Sequence, residues 1–97
     1  MDLKVTEAAI KAINEMVLEN SEDATVRVDV QGYGWGGPRL GLVQGEQKES
    51  DFVFEIDGIT FLVPIQLDKY VGFSIDYLDA PFYKKFSIRP IHFKSDL

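Results

Sequence analysis

The chain has 97 residues, 45% of them hydrophobic, no cysteine, and a net charge of −6 with a pI near 4.6. That length fits one domain with one core; the acidic balance argues against nucleic acid and anionic membranes as partners; and the lack of cysteine removes disulfides, thiolate nucleophiles and thiolate-held clusters formed within the chain. No apolar stretch reaches the length of a membrane span, and the opening MDLKVTEAAI lacks a signal-peptide profile, so a cytoplasmic protein is expected.

In chain order, Leu3 to Val5 reads as a short strand and Thr6 as a helix N-cap, with Glu7 favourably placed at the positive end of the helix dipole. Ala9, Ile10, Ile13, Met16 and Val17 recur at helical spacing and form a face to pack on a sheet. The spacing predicts a helix ending near Asn20, followed by a polar loop over Ser21, Glu22 and Asp23. Thr25 to Gln31 alternates, with Val26, Val28 and Val30 on one side and Arg27, Asp29 and Gln31 on the other, which marks a half-buried strand. Leu40 and Leu42 continue the alternation beyond a glycine-rich connection, and Gln44 to Asp51 is polar and turn-rich.

Phe52 to Ile56 and Ile59 to Val63 flank Asp57-Gly58, a dipeptide suited to the type I′ turn of a tight hairpin. Pro64 stops the second run, and Ile65 to Val71 has room for one helical turn. Phe73, Ile75 and Tyr77 mark another strand, and Phe86, Ile88 and the stretch Ile91 to Phe93 complete the sheet. One amphipathic helix followed by about six short strands implies a single α+β, mainly β domain over residues 1–97, with a curved and mostly antiparallel sheet.

The connection GYGWGG, residues 32–37, holds four glycines and two aromatics. Gly32, Gly34 and Gly37 satisfy G-x-G-x-x-G, but a nucleotide site also needs a helix opening directly after the loop, and Pro38 to Leu42 reads as strand. A Walker loop is excluded by the lack of Gly-Lys-Ser/Thr. The only histidine is His92, a poor basis for a triad or a closed zinc site. Asp29 and Asp76 sit on polar strand faces, where pairing with Arg27 or Lys69 is the ordinary reading. The residues therefore offer no catalytic group, no metal ligand set and no cofactor motif. They leave a candidate ligand or partner loop of Gly32, Tyr33, Gly34, Trp35, Gly36, Gly37 and Arg39.

Four stretches, LKVTEAAIKAI, VRVDVQGYGWGGPRLGL, SDFVFEIDGITFLVP and YVGFSIDYLDAPFYKKFSI, resemble in order and spacing the A-type iron–sulfur cluster assembly proteins, the HesB/IscA-like family. The resemblance implies that family's fold. Its members hold iron or a cluster through three cysteines, one after the glycines of the first long strand and two in a C-terminal Cys-Gly-Cys tail. The first position here carries Trp35, and the sequence closes with IHFKSDL at about the place of the pair. An indole N–H donates and has no lone pair for a metal.

The resemblance thus implies a non-enzymatic protein without the cluster ligands, either a carrier or a regulator that pairs with an intact relative. The alternative is an interaction module, with Tyr33 and Trp35 as aromatic anchors and Arg39 for a carboxylate; a protein partner or a homodimer is the expected partner class. Some relatives with a similar Gly-x-Gly-Gly-Pro loop place selenocysteine here. Its codon differs from that of tryptophan by one base, so Trp35 standing in for selenocysteine in a redox protein is a further reading.

Overall fold

The computed structural model describes residues 1–17, 25–35 and 37–92. Seven strands and one helix run in the order β1 (Asp2–Val5), α1 (Glu7–Val17), β2 (Thr25–Gly34), β3 (Gly37–Gln44), β4 (Phe52–Ile56), β5 (Ile59–Val63), β6 (Gly72–Ala80) and β7 (Tyr83–Pro90), with a single 3-10 turn over Ile65–Leu67. The expected helix end near Asn20 and the polar loop after it lie outside the described residues.

Thr6 caps the helix as its sequence requires. Its Oγ1 accepts from the Ala9 amide at 3.2 Å and donates to Asp76 Oδ1 at 2.7 Å, while its own amide donates to the Ile75 carbonyl at 3.0 Å. One residue therefore starts α1 and fixes that start to β6. The buried face of the helix is Ala9, Ala12 and Ile13, with Ile10 at the margin. Met16, expected on this face, is 43% exposed. The two alanines let the helix approach the sheet closely without a longer apolar stripe.

The strands form two sheets, ordered β1-β6-β7 and β3-β2-β5-β4. The hairpins β2–β3, β4–β5 and β6–β7 are antiparallel, whereas β1 beside β6 and β2 beside β5 are parallel. Short connections correctly imply the hairpins, but sequence adjacency cannot reveal the two parallel pairings, which join elements distant in the chain. At the β4–β5 turn Asp57 and Gly58 both have positive φ, 51° and 79°, the conformation that dipeptide was chosen for. Ile91 and His92 continue past β7 through Ile91 N–H to Gly72 O (2.8 Å) and Val71 N–H to His92 O (2.7 Å); Phe93 lies outside the described residues.

A single core joins α1, both sheets and the 3-10 turn: Ile13, Val28, Phe61, Val63, Phe73 and Ile75 are completely buried. Each such side chain contributes about 1.5–3 kcal/mol. Tyr77 and Phe86, directly paired across β6–β7 with ring centroids 4.9 Å apart, extend the core toward that hairpin's end.

On the opposite face of β2, Arg27 does not pair with Asp29 as its neighbour on the polar face suggests. Its guanidinium forms a two-pronged bond with Asp51, through Nη1 to Oδ2 and through Nη2 to Oδ1 at 2.8 Å. Asp51 Oδ2 also accepts from the Lys48 amide at 2.7 Å, and the Asp51 side chain is only 2% exposed. The pair pins the polar 45–51 connection to the middle of the sheet. The bond from Arg27, together with that from the Lys48 amide, outweighs desolvation and holds the Asp51 carboxyl below its ordinary range.

Support along β2 is uneven. It pairs with β5 only over Thr25–Arg27, but with β3 from Val26 to Gly34. Beyond Arg27 the β2–β3 hairpin is a two-stranded ribbon, tied to the body by Val28, Val30, Leu40 and Leu42 on its inner face.

Two predictions follow from this arrangement. Asp51→Asn is expected to lower stability by about 2 kcal/mol, since it leaves an enclosed guanidinium without its anion. A carboxyl lowered in the folded state stabilises fully above its unfolded pKa, about 3.9, and loses that contribution as pH falls through the folded value. Urea midpoints of the parent should therefore fall below about pH 4, and the variant's should fall less steeply. Amide exchange should show the uneven support directly: Val26 and Arg27 are expected to exchange slowly, and the amides from Tyr33 onward at least about a hundredfold faster. Uniform protection along β2 would contradict the ribbon description.

Candidate functional site

The glycine-rich stretch is mostly strand. β2 runs through Gly32 and Tyr33 to Gly34, which pairs with Gly37, and Trp35 sits at the turn between them. The register shifts between Val30 and Gly32, leaving Gln31 as an extra residue opposite Arg39. Such a bulge increases twist and re-aims the residues beyond it. The Gln31 amide lies over Gly41, where an added Cβ would come within 2.3 Å of Nε2, so a side chain at Gly41 would displace it. Gly37 closes the turn at φ 110°, in the region that favours glycine.

This geometry places Trp35 at the crest of the hairpin, entirely in water, with Tyr33 70% exposed beside it. The two rings and Gly34 border a shallow depression of about 500 Å³. Tyr33 lies opposite Pro38 and Arg39 opposite Gly32, adjacent register positions whose side chains leave on opposite faces. Arg39 is therefore exposed but does not border the depression with the two aromatics. Gly36 lies outside the described residues. The bulge at Gln31 is the feature that sequence reading misses; its signal is the loss of alternation at Gln31-Gly32.

The other polar candidates are accounted for by the fold. Asp76 accepts from Thr6 Oγ1 and from the Tyr77 amide at 2.8 Å, rather than from Lys69. His92 is exposed, and its carbonyl is engaged by Val71. The two shifted groups, Arg27 raised and Asp51 lowered, shift mainly because they bond each other, and they serve the sheet. Among the described residues no three His, Asp or Glu side chains converge as a metal site. The crest itself offers an indole N–H, a phenol and, across the ribbon, a guanidinium. That donor set does not fit iron or an iron–sulfur cluster, which takes thiolates.

No protein-family model matches the sequence. The chain is 37% identical over 90 residues to the iron–sulfur cluster insertion protein ErpA of Xylella fastidiosa, covering 90% of this chain and 70% of that protein. It is 43% identical over 76 residues to SufA of Bacillus subtilis, an uncharacterised protein, covering 75% of this chain and 63% of the other. Among solved structures, SufA of Escherichia coli, involved in biosynthesis of iron–sulfur clusters, superposes with a TM-score of 0.76 at 28% identity over 91% of this chain and 79% of that one. IscA with a [2Fe-2S] cluster superposes at 0.75 over 92% and 85%; at 22% identity it supports the fold alone. Helix, strand order and sequence thus agree, and the chain belongs to the A-type, HesB/IscA-like family of iron–sulfur cluster assembly proteins, as a member whose 97 residues contain no cysteine.

Proposed function

We propose that this chain is a non-enzymatic member of the assembly family, acting in the cytoplasm through protein contacts at the Tyr33–Trp35 crest, and that this 97-residue polypeptide does not itself carry a cluster. The observation that carries the reading is the complete exposure of Trp35 on a bulged, glycine-flanked hairpin crest. By the family resemblance, that crest is where relatives present a cysteine. The scaffold that displays a ligand is retained, while the displayed group is an aromatic anchor. Burying an aromatic of this size removes about 150–250 Å² from water, worth roughly 4–6 kcal/mol before the cost of association. The partner is a second copy or a cysteine-bearing relative.

The names of the relatives support a role in cluster insertion and assembly. A chain without thiolates supports that work by pairing, not by ligation. A second reading keeps the same crest: a side chain wholly in water is placed as a reactive selenocysteine would be, and Trp35 then stands in for it. Codon 35 separates the two. UGA supports the selenoprotein, and UGG removes it.

Sedimentation of the chain, alone and mixed with a cysteine-bearing relative, is expected to show a concentration-dependent complex, with the emission of the single tryptophan shifting to the blue as it forms. Trp35→Ala should weaken that complex at least about thirtyfold, the loss of a hot-spot residue. A monomer mass unchanged under both conditions rules the interaction out. Anaerobic reconstitution with iron and sulfide is expected to leave no stoichiometric iron on the protein; a coloured, iron-replete preparation would overturn the carrier-free reading.

A further inference from the structure

The three-stranded sheet carries a second unexplained surface. Residues 80–92 contain three lysines and arginines, Lys84, Lys85 and Arg89, and no aspartate or glutamate, although the chain as a whole is at −6. A charge of −9 therefore resides elsewhere, and strand β7 is a basic strip on an acidic body, paired with a β6 that carries Asp76 and Asp79. At the hairpin's tip Phe82 is 97% exposed and Tyr83 54%.

Register fixes the faces. Ile75 and Ile88 pair and are buried, so Tyr83, Lys85, Ser87 and Arg89, which lie opposite Ala80, Leu78, Asp76 and Ser74, point away from the core. The acid on this outer face of β6, Asp76, is already engaged by Thr6 and the Tyr77 amide. Lys85 Nζ stands 5.7 Å from the Tyr83 ring centroid, a cation beside an exposed aromatic. Lys84, on the other face, meets Asp79 at 3.8 Å with both side chains about two-thirds exposed, a contact too wet to neutralise much charge.

We propose that the outer face of the β6–β7 hairpin docks an extended, acidic segment of a partner protein, with carboxylates on Lys85 and Arg89 and an apolar side chain against Phe82 and Tyr83. Lys85 and Arg89 are four residues apart on one strand, about 13 Å, the spacing of two carboxylates four residues apart on one face of an extended peptide. Charge complementarity selects this occupant. A membrane surface or a polynucleotide would bring its anions against the acidic body as well as the strip, and repulsion reaches about 8 Å at physiological salt. A narrow peptide touches the strip alone. Two copies of this chain related by a twofold axis through the hairpin would oppose basic strip to basic strip. The surface lies in the three-stranded sheet, apart from the Trp35 crest in the four-stranded one, so either reading can fail without the other.

The test is a titration of the 15N-labelled chain with the acetylated, amidated heptapeptide Glu-Ser-Glu-Ser-Glu-Leu-Phe and its Gln-for-Glu counterpart. The acidic peptide is expected to give saturating amide shifts confined to β6 and β7, weakened by salt; the Gln peptide should give none. Lys85→Glu with Arg89→Glu should reduce affinity at least about tenfold, with the variant's own spectrum confirming its fold, and Phe82→Ser should weaken binding without changing its salt dependence. Equal binding by the charge-reversed variant, or shifts as large around Lys11, Lys48 and Lys69 as on β7, would overturn the proposal. So would phosphatidylglycerol vesicles or a single-stranded oligonucleotide that bound the strip more tightly than the peptide.

Discussion

The architecture around the candidate site depends on how strand β2 is held. It enters the sheet paired on both sides, with β5 over Thr25–Arg27 and with β3, and leaves it paired on one side only. Its first half is therefore part of the body, with Val26 and Val28 buried and Arg27 clamped from the other face by Asp51. Its second half is a ribbon that hydrogen-bonds only to its own hairpin partner. A two-stranded ribbon is marginal alone, and this one persists because Val28, Val30, Leu40 and Leu42 hold its base against the core. A rigid base and a projecting end are what a scaffold needs in order to offer one side chain to another molecule.

The same strand explains the role of the enclosed Arg27–Asp51 pair. A carboxylate and a guanidinium enclosed together look, by their shifted proton affinities, like candidates for chemistry. Here each is shifted mainly by its bond to the other, and the second acceptor position of Asp51 is filled by the Lys48 amide. Both groups of the pair are taken up by each other and by the Lys48 amide. The pair anchors a polar seven-residue connection, 45–51, that has little apolar area of its own to hold it. Removing either partner would release that connection, not abolish a reaction.

Much of the fold was legible in the sequence, and the reasons are specific. Thr6, the alternation of Val26, Val28 and Val30, and Asp57-Gly58 are local signals, each decided by interactions within a few residues, and each appears where it points. What was not legible was non-local. The parallel pairings of β1 with β6 and β2 with β5 join residues roughly 35–70 positions apart and leave no periodic mark. Arg27 chose Asp51 over Asp29 because a side chain two residues along a strand points the same way without meeting it head-on, whereas a turn can bring a carboxylate over the guanidinium. The glycine stretch was read as a loop because glycine weakens any strand signal. Its cross-strand partners, Pro38 and Gly37, keep it in the ladder to Gly34. Met16 fits helical spacing yet lies in water, since spacing assigns a face but not how far the opposing sheet extends.

Family membership and the absence of cysteine from these 97 residues are compatible because the fold and the crest depend on different residues. The fold shared with a SufA structure, at a TM-score of 0.76, has its core at buried positions such as Ile13, Phe61, Phe73 and Ile75, whereas the crest residue Trp35 is fully exposed. Exchanging a crest residue alters no core contact, so the scaffold tolerates tryptophan where relatives by resemblance place cysteine. The tolerance has a consequence for the surface. The indole of Trp35, in full contact with water, exposes apolar area that nothing among the described residues covers. The hydrophobic term that stabilises the core is left unsatisfied at the crest, where water meets the whole indole.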